Sequence, residues 1–181
     1  MPTVTTNVGH YVFKFGNLEH DLSSRTHIVG ILNITPDSFS DGGRHFGFDQ
    51  AIRHAHRMAE EGADIIDIGG ESSRPGSESV TEEEELRRVV PVIQRLTKEL
   101  EIPLSIDTCK SRVAERALDA GASIVNDISG FTADPSMPTV VAKGRATAIL
   151  MHMKGTPKTM QQNPTYDNVT LEVAQFLERQ V

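Results

Sequence analysis

From residue 27 onward, short apolar runs and helical apolar patterns take turns along the chain. This alternation limits the possible folds more than any other feature. The runs 27–32, 65–68, 104–107, 124–127 and 146–151 read as buried strands. Helical spacing follows each of them: 49–61, 81–96, a segment with Val113, Ala114, Ala117 and Leu118 inward, 135–143, and a last helix from about Asp167. Asp49 is a candidate N-cap and Gly62 a stop for the first helix. Thr81 and Glu84 have the spacing of a capping box, and Pro91 is expected to kink the helix that follows. Upstream, Tyr11-Val12-Phe13-Lys14-Phe15-Gly16-Asn17 alternates and then turns, which predicts a short β-hairpin capping the body. Residues 1–26 are therefore a lead-in and 27–181 a single βα domain.

An internal echo bears on how the units assemble. Gly62-Ala63-Asp64-Ile65-Ile66-Asp67-Ile68-Gly69-Gly70 is similar to Gly121-Ala122-Ser123-Ile124-Val125-Asn126-Asp127-Ile128-Ser129-Gly130, with one residue inserted. Each has a glycine after a helix, an apolar strand, a polar strand end and further glycine. Recurring units favour an α/β fold of the (βα)8 TIM-barrel type over a doubly wound sheet. Such a barrel takes eight units and about 250 residues. Five units in 181 residues predict a partial barrel, C-terminally incomplete, and hence a piece of something longer.

Charge narrows the possible partners. A formal net charge of −7, from 18 basic and 25 acidic residues, argues against a nucleic-acid face, which needs a basic surplus. No run approaches the roughly 20 apolar residues of a membrane span, and the single cysteine, Cys109, suits a reducing compartment. The expectation is a cytoplasmic protein acting on small molecules, with no membrane or nucleic-acid partner.

The chemistry collects at the carboxyl ends of the strands, the face on which βα barrels build active sites. Asn33, the 71–74 loop, Asp107 and Asn126 end consecutive strands, and Met151 and His152 end the fifth. Asn33 offers an oxygen to a hard cation such as Mg²⁺ or an amide to a phosphate, or else it starts an Asx turn. Asp107 could accept two N–H donors from a flat heterocycle, or cap the helix beginning near Lys110. Asn126 could add an amide to the same ring edge, and Asp127 could hold a neighbouring loop. Arg74 could clamp an anion, or sit in an ordinary surface turn. None of these groups is assigned as a catalytic acid or base.

Other features carry less. His54 and His56, two apart on a helix, point in different directions and make a poor metal pair. The acids 82–85 suit the first turn of a helix and are expected to be solvated. Cys109 beside Lys110 could have a lowered pKa, but lacks an obvious partner and reads as a spectator.

Two of these loops carry a specific resemblance. Asn33-Ile34-Thr35-Pro36-Asp37-Ser38-Phe39-Ser40-Asp41-Gly42-Gly43, with the strand before it, resembles the first signature of dihydropteroate synthases. Asp67-Ile68-Gly69-Gly70-Glu71-Ser72-Ser73-Arg74-Pro75-Gly76 resembles the second. Ser105-Ile106-Asp107-Thr108, Ile124-Val125-Asn126-Asp127 and Leu150-Met151-His152-Met153 are similar to three further landmarks in the same order.

The resemblance implies a transferase of folate biosynthesis. It joins 6-hydroxymethyl-7,8-dihydropterin diphosphate to p-aminobenzoate and releases diphosphate. It also implies that Asp107 and Asn126 grip the pterin, that Met151 packs on it, and that Asn33 sits with Mg²⁺ and the diphosphate. Ser73, where the family usually has threonine, contacts substrate; Phe39 and Pro75 flank the p-aminobenzoate ring; Asp41 pairs with Arg74 as the loops close. The later family motifs, which add a second pterin carboxylate, a lysine and an anion site, have no counterpart here. A pterin-binding fragment or non-catalytic subunit is the alternative, a pterin-dependent methyltransferase a more distant one, and a homodimer is implied only for a full-length form.

Overall fold

The structure, a computed structural model, describes residues 11–34, 44–72, 79–156 and 159–180. Among them lie seven strands and five helices. A hairpin of β1 (Val12–Phe15) and β2 (Leu18–Asp21) precedes the alternating part. Then come β3 (Val29–Asn33), α1 (Arg44–Glu60), β4 (Ile65–Gly69), α2 (Glu82–Leu96), β5 (Leu104–Asp107) and α3 (Ser111–Asp119). They are followed by β6 (Ile124–Asp127), α4 (Met137–Gly144), β7 (Thr147–Leu150) and α5 (Val169–Glu178). Strands β3 to β7 form one parallel sheet in the order β3-β4-β5-β6-β7. Each new strand is added on the same side, so the strand order never reverses. That is the winding of a barrel wall, and it rules out the switch point of a doubly wound sheet.

Register sorts the strand residues into two faces. Leu32, Ile68, Ile106, Val125 and Ala148 form one row, with Gly30, Ile66 and Leu104 in the row below. The helices cover this side, giving a continuous core with Ala55, Val89, Val92, Ile93, Leu96, Val113, Ala114, Ala117 and Met137. Each such isoleucine or leucine contributes about 1.5–3 kcal/mol on burial. The opposite face carries Ile31, Asp67, Ser105, Ile124 and Thr147 in one row, then Asn33, Gly69, Asp107, Asn126 and Ile149 toward the strand ends. At its lower end, Phe15 of the hairpin packs with Ile65 and Ile124 in a small second cluster, and the Thr147 hydroxyl donates to Lys14 O at 2.7 Å. The hairpin thus covers the amino ends of the strands, as expected from its alternation.

Asp64 ties the lead-in to the sheet. Its carboxylate accepts from the Arg25 guanidinium, at 2.9 Å through Nη1, and from Ile28 N at 2.8 Å. Arg25 holds this carboxyl well below the usual range. A depressed carboxylate stabilises the fold above its unfolded pKa near 4, and that contribution is lost as pH falls through the native value. Asp64→Asn is expected to lower the thermal midpoint at pH 7, and to lower it progressively less as the pH falls below about 4. An equal loss at every pH would count against this link.

Packing moved some boundaries. Helix α1 starts at Arg44, not at Asp49, which is exposed on its flank. Gly47 is buried and Phe48 packs on the core, so the apolar stripe of Ala51, Ile52 and Ala55 extends a turn further back. Helix α2 opens as expected, with Thr81 Oγ1 accepting from Glu84 N at 3.3 Å, but the Glu84 carboxylate turns to Arg87 and Arg88. The helix runs on through Pro91, whose ring lies on the exposed side. The echo between residues 62–70 and 121–130 has a backbone cause. Gly62 and Gly121 both take a left-handed φ, +103° and +113°, between a helix and the strand after it.

Candidate active site

The polar groups meet where the sheet ends. Asp107 and Asn126 are register partners on β5 and β6, and Asn33 and Gly69 continue the same row on β3 and β4. Gly69 leaves a gap between its neighbours. A Cβ built there would lie 3.4 Å from Asn33 Oδ1 and 3.6 Å from Asp107 Oδ2. Both oxygens therefore border one small space on the open side of the sheet. Met151 follows β7 with its N–H bonded to Asp127 O, continuing the alternation that puts Ile149 on this face.

Asp107 does not cap a helix. The donors at the start of α3 go elsewhere: Lys110 N to Thr108 Oγ1 at 3.2 Å and Ser111 N to Asp134 Oδ2 at 2.9 Å. Burial, then the charges of Asp67, Glu85, Asp127 and Glu71, push the Asp107 carboxyl up to about 7. A carboxyl so raised and facing an open gap is a candidate ligand group. Asp127 holds the following loop as expected, accepting from Ser129 N and Oγ, both at 2.7 Å, and from Phe131 N at 3.1 Å. Cys109 is the spectator expected of it: burial and the Asp127 charge push its thiol up to about 12, which overturns the idea of a lowered pKa.

Three groups here escaped the reading of the sequence. Asp67 lies one row below Gly69, buried, and accepts from Asn126 Nδ2 at 3.0 Å. Ser105, beside it in the same row, is fully buried. Strand alternation was signal enough for both, because Asp67 and Asp107 sit on one face and Ser105 is two residues before Asp107. Lys110 is the third. It bridges Glu71 and Glu85, with Glu85 Oε2 at 2.5 Å and the Glu85 side chain 1% exposed. Glu85 thus corrects the expectation that acids 82–85 are all solvated. The two histidines part as expected, since His56 bonds Glu99 at 3.0 Å while His54 faces the cleft between α1 and β3.

Phe39, Asp41, Ser73, Arg74 and Pro75 lie outside the described residues, and so does the expected pairing of Asp41 with Arg74.

A single substitution probes the gap. Gly69→Ala places a methyl between Asn33 and Asp107 at ordinary contact distances and needs no unusual φ. Its expected effect is a loss of ligand affinity of tenfold or more, with an unfolding free energy within about 1 kcal/mol of the parent. Undiminished affinity in a calorimetric titration would place the ligand elsewhere.

Comparison with known proteins agrees with this geometry. The sequence model of a family described as pterin binding enzyme matches residues 29–181. This chain belongs to the pterin-binding enzyme family. The dihydropteroate synthase of Synechocystis sp. is 51% identical over 166 residues, 92% of this chain and 57% of that protein. The crystal structure of the Yersinia pestis dihydropteroate synthase with a sulfonamide drug complex superposes with a TM-score of 0.84 at 45% identity, covering 94% of this chain and 61% of that one. The Xanthomonas albilineans dihydropteroate synthase with 4-aminobenzoic acid gives 0.83 at 44%, covering 95% and 60%. The chain therefore spans a little over half the length of these relatives, and its five βα units match part of their TIM barrel. No helix among the described residues is long and apolar enough to cross a membrane.

Proposed function

We propose that this chain carries the pterin-gripping part of a dihydropteroate synthase. That enzyme condenses 6-hydroxymethyl-7,8-dihydropterin diphosphate with p-aminobenzoate to give 7,8-dihydropteroate and diphosphate. The observation that carries the reading is the pair Asp107 and Asn126, side by side at the strand ends above buried Asp67. A pterin's N3–H and 2-amino group are parallel donors matched to the two oxygens of a carboxylate. The relatives' names support the same chemistry.

This placement suits the following reaction. The bond from the pterin methylene to the diphosphate oxygen breaks, and its electron pair leaves with the diphosphate. Positive charge then develops on the methylene and the dihydropterin ring. Asp107 binds the ring from a floor made anionic by Asp67 and, further off, Glu85, Glu71 and Asp127. Such a floor stabilises the cation more than the neutral substrate, as catalysis requires. The aniline nitrogen forms the new C–N bond and releases its proton to solvent. Met151 packs on the ring. Ser73 and Arg74 bind the substrates, Phe39 and Pro75 flank the p-aminobenzoate, and Asp41 and Arg74 close the loops that exclude water.

Asn33 suits Mg²⁺ in one respect that can be checked. Among the described residues there is no group of three His, Cys, Asp or Glu side chains able to hold a metal. Mg²⁺ is commonly bound by one or two protein oxygens together with phosphate and water. The Asn33 amide oxygen, bordering the gap beside Asp107, would be one such ligand. Held by Asn33, Mg²⁺ would supply positive charge to offset that of the leaving diphosphate. A cytoplasmic location and a homodimer of the full-length form belong to the same reading.

The test is direct. Joined to the remaining part of its relatives' barrel, the chain, given both substrates and Mg²⁺, should form dihydropteroate with equimolar diphosphate release, and the product should vanish when Mg²⁺ is chelated. Pterin binding without any condensation would favour a non-catalytic pterin-binding subunit instead.

A further inference from the structure

We propose that Asp67 is the positioning residue that fixes the orientation of the Asn126 amide, so that the amide oxygen is turned away from Asp67 and serves as an acceptor beside Asp107. The inference rests on the pterin reading above and adds to it a determinant of specificity.

The geometry leaves the amide little choice. Asp67 and Asn126 stand two strands apart, on β4 and β6, with Asp67 one row deeper. On β5, the strand between them, Ser105 stands in the row of Asp67 and Asp107 in the row of Asn126, and the small Ser105 side chain leaves the longer ones room to meet. They meet at 3.0 Å, Asn126 Nδ2 donating to Asp67 Oδ2. A carboxylate oxygen only accepts, so it is the amide nitrogen that must face Asp67, and Asn126 Oδ1 is turned the other way. An asparagine without such a partner has two orientations of opposite chemistry. Held as it is, Asn126 adds an acceptor beside the Asp107 carboxylate, its register partner. A ring edge made of N–H donors fits this array, and a ring edge with an acceptor at the same place is opposed.

A purely structural role does not account for Asp67. The carboxylate is buried, and among the described residues its Oδ1 has no hydrogen-bond partner. A buried carboxylate with one neutral partner costs stability compared with an apolar side chain of similar size. The strand would be more stable with an apolar residue there, and what the acid adds is control of Asn126.

The experiment uses the full chain, with 6-hydroxymethylpterin as the probe in calorimetric titrations. Asp67→Asn offers Asn126 an amide that can donate or accept, so the lock is lost. Its affinity should fall about tenfold, the worth of one hydrogen bond. Its preference for the pterin over the 2-desamino analogue should shrink. The exchanged pair, Asp67→Asn with Asn126→Asp, restores one amide donor, one carboxylate and an oxygen facing the pocket. It should bind several-fold more tightly than Asp67→Asn alone. An exchanged pair no better than the single variant, or an Asp67→Asn variant that binds like the parent, would overturn the proposal. A second readout is independent of any ligand: the Asn126 side-chain NH₂ resonances should be protected from exchange in the parent and lose that protection in Asp67→Asn. If the parent binds no pterin, the functional reading fails. Protection unchanged by Asp67→Asn would sink the positioning role, whatever the pterin result.

Discussion

Asp107→Asn should make this protein more stable at pH 8 and poorer at binding pterin. Burial and four neighbouring acids push the Asp107 carboxyl up to about 7, against an unfolded value near 4. Between these values the folded chain keeps a proton that the unfolded chain has released. Stability therefore falls as pH rises through the window, and the loss is complete above about 7. Asparagine cannot ionise, so the variant should gain roughly 2–4 kcal/mol over the parent at pH 8 and match it near pH 4 or below. Binding should move the other way. The carboxylate's two acceptors become one acceptor and one donor, and the donor opposes a pterin N–H. The expected loss is about 100-fold, as for removing charged hydrogen bonds inside a site. In the parent, affinity should drop about tenfold for each pH unit below about 7, since the ionised form is the one that accepts. Urea denaturation at pH 4 and pH 8, paired with pterin titrations, checks both arms. An asparagine variant less stable than the parent at pH 8 would show that the carboxylate is held by something stronger than its neighbours' repulsion.

The second large effect belongs to Lys110. It joins Glu71, at the end of the β4 segment, to Glu85, buried in the first turns of α2. Removing the ammonium takes from buried Glu85 the one cation bonded to it among the described residues. Lys110→Met should therefore cost on the order of 3–5 kcal/mol. Lys110→Met combined with Glu85→Gln removes both charges and should recover a good part of that loss, because the desolvation cost disappears with the ion. Glu71→Gln alone should matter less, since Glu71 is only half-buried and its partner keeps Glu85. Unfolding free energies of the parent, Lys110→Met, Glu85→Gln and the double variant form a cycle that isolates the pair. A Lys110→Met variant within about 1 kcal/mol of the parent would mean that solvent reaches Glu85 and screens it.

Much of the architecture was legible because it is encoded locally. Alternation of period two and helical spacing are read from neighbours in the chain, and each of the five strands was found to within a residue or two. The start of α1 was not legible. Asp49 is a good capping residue, and only the packing of Gly47 and Phe48 on the sheet carries the helix past it. Glu85 looked like a surface acid for the same reason. Its sequence context is a first helical turn, while its burial depends on a lysine 25 residues away.

Strand order, strand-end placement and the pairing of Asp107 with Asn126 follow from the sequence by itself, since successive βα units bring successive strand ends to one face. The orientation of Asn126 was decided only in the tertiary structure. Asp67 lies 59 residues earlier and two strands over, and the bond between them spans β5, which separates the two strands. Local periodicity assigns a residue to a face; which partner it finds there is set by the distances between strands.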